Sequence, residues 1–471
     1  MWDIRKREGP VTHADAVPGT ALPAPGSDAG NGQFRHNSHG AAPATAEEPA
    51  HQLLDIKVQI HRQLLERVNL SVLDRFSRDD LAKELTGLIA EILGEHGKAL
   101  NRTEHADLVQ EVVDELVGLG PLEPLLKDEG ISDILVNGYD TVFIERNGLL
   151  ERVATRFQDE KHLLRIIQKI VSAVGRRVDE SSPFVDARLA DGSRVNAIIA
   201  PLAIDGSLLS IRKFSKKPIS MARMVELGSV SPDMASVLEA IVKGQLNIII
   251  SGGTGSGKTT LLNAMSSFIN DRERIVTIED SAELQLQQVH VVRLETRPPN
   301  IEGRGEVNQR DLLKNALRMR PDRIILGECR AGEAFDMLQA MNTGHDGSMT
   351  TVHANGPRDA LSRIEQMIGM SGIDISPRSA RQQIASAINI VIQIARLADG
   401  NRKIVSITEM TGMEGETITM QEIFLYNQRG KDEAGHVLGR FEATGIRPRF
   451  ATQLQTRGIN LAADLFRPVA G

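Results

Sequence analysis

The chain has 471 residues and a formal net charge of −7, with 41% apolar and 25% charged residues. These fractions are close to the globular average, so they exclude a chain that is disordered throughout. The acidic balance and an aromatic content of only 3% argue against a protein that mainly binds nucleic acid. The single cysteine, Cys329, cannot form an intramolecular disulfide, and the apolar runs are too short to span a bilayer. We therefore expect a cytoplasmic protein.

The N-terminal part of the sequence predicts a disordered arm followed by helices. Residues 1–50 hold 6 of the 19 prolines and almost no branched apolar residues, which is too little apolar surface to offset the entropy of ordering. Residues 51–128 carry apolar side chains at helical spacing, and we interpret them as a small helical subdomain. Its three apolar stripes run from Ile56 to Val68, from Leu81 to Leu93 and from Leu108 to Val117.

Residues 129–214 predict an α+β domain, because the apolar spacing changes to that of strands. Asn137-Gly138 and Asp191-Gly192 are turn sequences typical of β-hairpins. A helix is expected over residues 159–174, and strands are expected at 133–136, 141–145, 187–189, 194–199 and 208–212. Residues 215–232 have few periodic features and contain two prolines, so we interpret them as a linker.

Residues 233–430 alternate between strands and helices, which predicts an α/β domain with a mostly parallel sheet covered on both faces. We expect helices at 233–243, from 257, at 309–319 and at 332–342, and strands at 247–251, 274–278, 322–326 and 390–395. A hairpin is expected over 402–409 and 418–427. Residues 431–471 give only weak signals, and we interpret them as a C-terminal tail.

A phosphate-binding loop is the strongest chemical signal in the sequence. Residues 252–259 fit the pattern G-x-x-x-x-G-K-[ST]; they are Gly252, Gly253, Thr254, Gly255, Ser256, Gly257, Lys258 and Thr259. The glycines let backbone N–H groups point at phosphate oxygens, and the helix that continues through Thr260 presents its positive end to them. Lys258 would neutralise the β- and γ-phosphates, and Thr259 offers a hydroxyl to Mg²⁺. The pattern predicts a nucleotide site.

Acidic residues follow two of the predicted strands. Glu328 comes after the strand at 322–326, where parallel sheets place their ligands, and it would either hold Mg²⁺ through water or act as the general base on the attacking water. Glu279 and Asp280 follow the strand at 274–278, with Glu283 expected one helical turn later. These acids would face the same metal and phosphate cluster, although Asp280 is alternatively a helix cap.

Two histidines, His345 and His353, lie in a stretch that also contains glycine and hydroxyl side chains. We expect this stretch to form a loop that senses the γ-phosphate. A zinc site is a weak alternative, because two histidines eight residues apart have no clear third ligand. A purely structural role stays open for each histidine.

The order of these motifs resembles that of the type II/type IV secretion ATPase superfamily. The P-loop, the acidic run at 278–284, the run at 318–330 and the two-histidine stretch are arranged like that family's Walker A, Asp box, Walker B and His box. The segments 119–126, 131–138 and 191–197 are similar to those of the CpaF/TadA group, which powers tight-adherence (Flp-type) pilus assembly. The resemblance covers about residues 60–425.

This resemblance implies a RecA-like ATPase domain that binds ATP with Mg²⁺. It also implies a homohexameric ring at the inner-membrane face that acts through a membrane platform protein. The composition, as noted above, predicts no nucleic-acid partner. Arg194 and Arg212 match positions expected to close over the phosphates, with surface salt bridges as the alternative. His345 and His353 would then couple the nucleotide state to neighbouring subunits.

Together these features predict a motor ATPase that drives pilus assembly or secretion. One alternative is a nucleotide-switched gating module of a type IV secretion system with low turnover. Another is a RecA-like nucleic-acid translocase, which the acidic and aromatic-poor composition disfavours.

Overall fold

The computed structural model describes residues 78–95, 100–146, 148–214, 218–299 and 303–468. The predicted arm over residues 1–50 and the apolar stripe from Ile56 to Val68 lie outside these residues. Within the described part of the chain, no helix combines the length and the apolar character that a membrane crossing requires.

The N-terminal part consists of helices and a six-stranded antiparallel sheet. The helices are α1 (Arg78–Glu95), α2 (Arg102–Leu116), α3 (Glu123–Lys127) and α4 (Glu160–Ala173). The strands are β1 (Ile131–Asn137), β2 (Val142–Arg146), β3 (Leu149–Val153), β4 (Phe184–Arg188), β5 (Arg194–Ile198) and β6 (Leu208–Arg212). Their order in the sheet is β3-β2-β1-β6-β5-β4. The two predicted hairpins, the helix at 159–174 and the second and third apolar stripes all correspond to elements of this part.

Helix α4 forms because its sequence supplies both a start signal and an apolar face. The side chain of Asp159 accepts a hydrogen bond from the backbone N–H of His162 at 2.7 Å, which caps the first turn. Ile166 and Ile170, one turn apart, are buried against the sheet together with Ile134 and Ile144. The opposite side of the sheet carries polar side chains, which include Arg188, Arg194 and Arg212.

The C-terminal part contains a nine-stranded mixed sheet with the order β15-β14-β13-β12-β7-β11-β10-β8-β9. Strands β12 to β9 in this order are parallel, and β13 to β15 extend the sheet with antiparallel strands. The strands are β7 (Ile248–Ser251), β8 (Ile275–Glu279), β9 (Val291–Glu295), β10 (Arg323–Cys329), β11 (Met349–Val352), β12 (Ile390–Arg396), β13 (Arg402–Glu414), β14 (Thr417–Lys431) and β15 (Val437–Ala443). The protein therefore has the predicted α/β class.

Helices cover both faces of this sheet. On β7, Ile248 and Ile250 belong to one apolar cluster and Ile249 belongs to the other, as expected for a strand that is buried on both sides. The helices are α5 (Met221–Glu226), α6 (Pro232–Lys243), α7 (Lys258–Ser266), α8 (Gln309–Ala316), α9 (Glu333–Asn342), α10 (Pro357–Gly369), α11 (Pro377–Ala387) and α12 (Phe450–Thr456). Helices α6, α7 and α12 pack on the first face, and α8 to α11 pack on the second.

Three segments are more ordered than the sequence predicts. The proposed linker contains α5, whose Met221 and Met224 are buried in the core around β7. The two-histidine stretch, predicted as a loop, contains the fully buried strand β11. The segment with weak signals after residue 430 contributes β15 and α12, and Phe450 and Phe466 lie in the same core. In each segment long-range burial supplies the order, which local periodicity does not reveal.

Candidate functional site

The P-loop connects the end of β7 to the start of α7. Gly255 and Gly257 have φ angles of +68° and +98°, which side chains other than glycine rarely adopt. A Cβ atom on Gly252 would lie 2.4 Å from the carbonyl oxygen of Ile394 and 2.5 Å from Oγ of Ser256. Glycine is therefore required at these three positions, because the loop turns back tightly against β12.

Lys258 is the first residue of α7 and is only 8% exposed. Its Nζ donates hydrogen bonds to the carbonyl oxygens of Gly252 and Gly253, both at 3.0 Å. Burial lowers the pKa of Lys258, and the nearby carboxylate of Glu328 opposes that effect. Thr259 and Thr260 follow in the first turn of the helix and are half-buried. The loop thus presents one cation and a helix N-terminus to the same space.

His353 stands between Lys258 and Glu328. Its Nε2 lies 3.2 Å from Nζ of Lys258 and 3.1 Å from Oε1 of Glu328. Burial lowers the pKa of His353, and the positive charge of Lys258 lowers it further. A neutral imidazole can accept from Lys258 through this nitrogen or donate to Glu328 through it, but not both at once. His353 Nε2 is thus within hydrogen-bonding distance of both groups, and the three side chains lie in a row beside the P-loop.

Glu328 also pairs with Arg330, a residue to which the sequence pattern assigned no role. Nη2 of Arg330 lies 2.9 Å from Oε2 of Glu328, and its Nη1 lies 3.5 Å from Oδ2 of Asp280. Arg330 thereby bridges the acids that follow β8 and those of β10. The available sequence signal was a cation two residues after the acid of the Walker B run.

Glu279 ends β8 and is almost completely buried. Its Oε2 accepts hydrogen bonds from the backbone N–H groups of Glu283 at 2.7 Å and Leu284 at 2.9 Å. Its Oε1 is buried and has no hydrogen-bond partner within the described part of the chain. Burial raises the pKa of Glu279 to about 7, although the two backbone hydrogen bonds oppose this shift.

The segment after β8 is not helical, since residues 280–289 are irregular. The prediction that Glu283 follows Glu279 by one helical turn was therefore wrong, and Asp280 caps no helix there. The physical reason is that the carboxylate of Glu279 already accepts the N–H groups at 283 and 284, which holds the chain in a turn. Glu283 is instead directed at the N-terminal sheet.

Arginines of the N-terminal sheet approach this acidic segment. Nη1 of Arg194 lies 2.9 Å from Oε1 of Glu283, and Nη1 of Arg188, which the sequence did not single out, lies 2.8 Å from Oε2 of Glu295. Arg212 faces Arg194 across strands β5 and β6. It pairs with an acid of its own sheet, as its Nε lies 3.4 Å from Oδ1 of Asp133.

The structure separates the two predicted histidines. Strand β11 runs parallel to β7, and Gly252 N–H donates to the carbonyl of Val352, so His353 follows directly beside the P-loop. His345 precedes β11, and its Nδ1 lies 3.3 Å from the carbonyl oxygen of Ala340. A four-residue strand spans about 13 Å, so His345 lies towards the other end of the sheet. Only His353 therefore lies beside the P-loop, and the expected role of His345 in phosphate sensing stays a prediction.

A divalent cation at this site would need oxygen donors from a bound nucleotide. Among the described residues, no group of three or more His, Cys, Asp and Glu side chains is arranged to hold a metal ion. The hydroxyl of Thr259 and the carboxylate of Glu328 are nevertheless hard oxygen donors of the kind that Mg²⁺ prefers. Mg²⁺ commonly keeps several waters and takes the remaining ligands from substrate phosphates, so the residues present fit that ion.

Comparisons with known proteins agree with this geometry. The family model described as type II/IV secretion system protein matches residues 115–448. A Mycobacterium tuberculosis protein named for conjugal transfer is 39% identical over 307 residues, covering 64% of this chain and 87% of its own. The type IV secretion system protein VirB11 of Bartonella quintana is 32% identical over 350 residues, covering 65% and 96%.

Among solved structures, the VirB11 ATPase of Brucella suis in complex with sulphate shares 28% identity and covers 61% of this chain and 91% of its own. The TM-score between the two structures is 0.34. The family match itself spans more than two thirds of the chain and includes the P-loop, His353 and Glu328. The chain therefore belongs to the type II/IV secretion system protein family and is an ATP-hydrolysing secretion ATPase.

Proposed function

We propose that the C-terminal part is a RecA-like motor domain whose P-loop holds the triphosphate of ATP. The observation that carries this proposal is the connected chain from Lys258 through His353 to Glu328 directly beside the loop. Such a chain joins the cation that would bind the γ-phosphate to the carboxylate that would act on the attacking water. A loop that only bound phosphate would need Lys258 but would not need His353 and Glu328 next to it.

The proposed roles of the loop residues follow from their chemistry. The N–H groups of Gly253, Thr254, Gly255, Ser256 and Gly257, with Thr260 in the following turn, would line the phosphates. The N–H of Gly252 already donates to the carbonyl of Val352, so Gly252 would contribute by letting the loop turn close to β12. Lys258 would neutralise the β- and γ-phosphates. Thr259 and, through water, Glu328 would hold Mg²⁺, which supplies charge stabilisation at the transferring phosphoryl group. Glu328 as the general base remains the alternative role.

The acids that follow β8 would complete the catalytic group. Glu279 has a buried oxygen that finds no hydrogen-bond partner among the described residues, at the same edge of the sheet as Glu328. Its raised pKa fits a group that takes up a proton near neutral pH. Glu283 would act indirectly, because its carboxylate is paired with Arg194. We propose Glu279 and Glu328 as the two candidates for the general base.

Movement would come from the N-terminal sheet closing on the bound nucleotide. The ion pair between Arg194 and Glu283 supports this view, since it brings an arginine to the acidic segment beside the site. A triphosphate would compete with Glu283 for Arg194, because phosphate oxygens also form paired hydrogen bonds with a guanidinium group. Arg212 would also turn to the phosphates, which requires that its ion pair with Asp133 breaks. Residues 215–232 would then act as the hinge between the two parts.

We further propose that the protein works as a homohexameric ring on the cytoplasmic side of an inner membrane. It would act on a platform protein there and drive tight-adherence (Flp-type) pilus assembly or secretion, without nucleic acid as a partner. The segments similar to the CpaF/TadA group support the pilus assignment. His345, at the far end of β11 from the P-loop, would contribute to contacts between subunits, whereas His353 would report the nucleotide state.

A second candidate is a nucleotide-switched gating module of a type IV secretion system. The relatives favour it, because they include conjugal transfer proteins and VirB11 proteins. The two functions differ in turnover. Steady-state phosphate release near zero in the presence of the platform protein would favour the switch, and sustained release would favour the motor.

The proposed catalytic roles are tested by two substitutions. Lys258→Ala should abolish ATP turnover by removing the cation of the P-loop. Glu328→Ala should abolish turnover but leave ATP binding within about three-fold of the wild type, because binding relies on the loop. Glu433→Ala serves as the control, because Glu433 is an exposed carboxylate in the segment between β14 and β15, and it should leave turnover unchanged. Wild-type turnover by Glu328→Ala would contradict the assignment.

A further inference from the structure

Arg402 contacts the apex of the P-loop from outside. It is the first residue of β13, and its Nε donates a hydrogen bond to the carbonyl oxygen of Gly255 at 2.9 Å. Its Cδ lies 3.3 Å from the point where a Cβ atom on Gly257 would stand. Gly255 and Gly257 are the two loop positions with positive φ. One side chain therefore touches both places where the loop changes direction.

This contact fixes the direction of a backbone N–H group. A trans peptide unit is planar, so the C=O of Gly255 and the N–H of Ser256 point in opposite directions. Because Arg402 holds the carbonyl oxygen on the outer side, the N–H of Ser256 is turned to the inner side. The nitrogen of Ser256 lies 3.4 Å from the carbonyl oxygen of Gly253, a long distance for such a bond. A phosphate oxygen would be a closer and stronger acceptor for it.

A second arginine stands beside the same apex. Arg396 on β12 faces Arg402 directly in the antiparallel pair. Its Nη1 lies 4.0 Å from the Cβ position of Gly255, and its Nη2 donates to the carbonyl oxygen of Gly148 at 3.0 Å. Facing like charges destabilise a sheet. The carboxylate in the turn between them, Asp399, instead accepts hydrogen bonds from the N–H of Val437 and the amide of Asn401.

We propose that Arg402 is a positioning residue for phosphate binding, which holds the peptide of Gly255 so that the N–H of Ser256 faces the bound nucleotide. The inference rests on the proposed nucleotide site, because it assigns a role to a residue that acts through the P-loop. Arg396 contributes positive charge near the apex, whereas the hydrogen bond to the carbonyl oxygen of Gly255 comes from Arg402. The electrostatic cost of two facing arginines is offset when a triphosphate is bound nearby.

The test measures ATP and ADP binding by titration, with Mg²⁺ present, for the wild type, Arg402→Gln and Arg396→Gln. Arg402→Gln should weaken both nucleotides by about ten-fold and by the same factor, since backbone N–H groups of a P-loop bind phosphates that ATP and ADP share. Ten-fold corresponds to about 1.4 kcal/mol. In turnover assays the KM for ATP should rise while kcat stays within about two-fold.

Arg396→Gln separates positioning from charge. It removes the same charge from the same apex but retains the hydrogen bond to Gly255, so it should weaken ATP by less than about three-fold. Arg429→Gln, an exposed position on β14, should bind like the wild type. Equal weakening by Arg402→Gln and Arg396→Gln would overturn the positioning role, as would a loss for ATP but not for ADP.

The thermal unfolding midpoint of each variant shows whether it is folded, and a lower midpoint for Arg402→Gln with unchanged nucleotide affinity would also overturn the role. Failure of the proposed function gives a different pattern. If the wild type binds no nucleotide, the function fails and the inference with it. If the wild type binds nucleotide and Arg402→Gln binds it equally well, only the inference fails.

Discussion

Replacing Glu279 with glutamine should reveal the free-energy cost of a buried carboxylate. Burial raises the pKa of Glu279 from its ordinary value of 4.5 to about 7 in the folded protein. The folded state therefore holds this proton more tightly than the unfolded chain. The cost of ionisation is small below about pH 4.5, grows as pH rises to about 7, and is constant above that. The full shift corresponds to about 3 kcal/mol.

Glutamine does not titrate, and its carbonyl oxygen can still accept from the N–H groups of Glu283 and Leu284. We therefore expect the stability advantage of Glu279→Gln over the wild type to increase by roughly 2–3 kcal/mol as the pH rises from 5 to 8. The measurement is the free energy of unfolding from denaturant titrations at four pH values in this range.

The control for this series is Glu433→Gln, at an exposed position where the same chemical change should leave the pH profile as it is in the wild type. The reasoning about burial is refuted if the difference between Glu279→Gln and the wild type does not change with pH. It is also refuted if the variant loses stability relative to the wild type as pH rises.

Further substitutions test the loop, with one matched control, and the C-terminal segment. Gly252→Ala should weaken ATP binding by at least ten-fold in a titration, because its Cβ would lie 2.4 Å from the carbonyl oxygen of Ile394. Gly253→Ala is the matched control: a Cβ atom there has no heavy atom within 4 Å, so this variant should weaken ATP binding less. Phe466→Ala should lower the free energy of unfolding by about 3 kcal/mol in denaturant titrations, since the ring is buried beside Phe424; an unchanged value would contradict its place in the core.

The sequence was informative wherever a local pattern determines a local structure. The P-loop lies between a strand and a helix as its residues predict, because glycine conformations and apolar spacing are set within a few residues. The hairpin turns at Asn137-Gly138 and Asp191-Gly192 follow for the same reason. The turn residues thus indicate where each of these hairpins reverses direction.

Sequence reasoning failed where distant residues decide the outcome. Strand β3 has mostly exposed side chains and no alternation, so only its pairing with β2 makes it a strand. Glu283 was expected one helical turn after Glu279, but the buried carboxylate of Glu279 accepts the N–H groups of Glu283 and Leu284 and holds the segment in a turn. Phe466 is ordered by Phe424, which lies far from it in sequence. None of these partners can be read from local spacing.

The order of the strands explains why His353, and not His345, joins the site. In the chain the strands come as β7, β8, β10 and β11, whereas in the sheet they lie side by side as β7, β11, β10 and β8. Because parallel strands present their carboxyl ends at one edge, the P-loop, His353, Glu328 and Glu279 follow one another along that edge.

Neighbouring strands are about 4.8 Å apart, so each of these groups reaches the next but not the one beyond it. Strand β11 comes last of these four strands in the chain but lies next to β7 in the sheet, so its residue His353 is the neighbour of the P-loop. His353 is consequently the side chain that can link the lysine of the P-loop to the carboxylate of β10, and its distances of 3.2 and 3.1 Å to the two groups agree with that position.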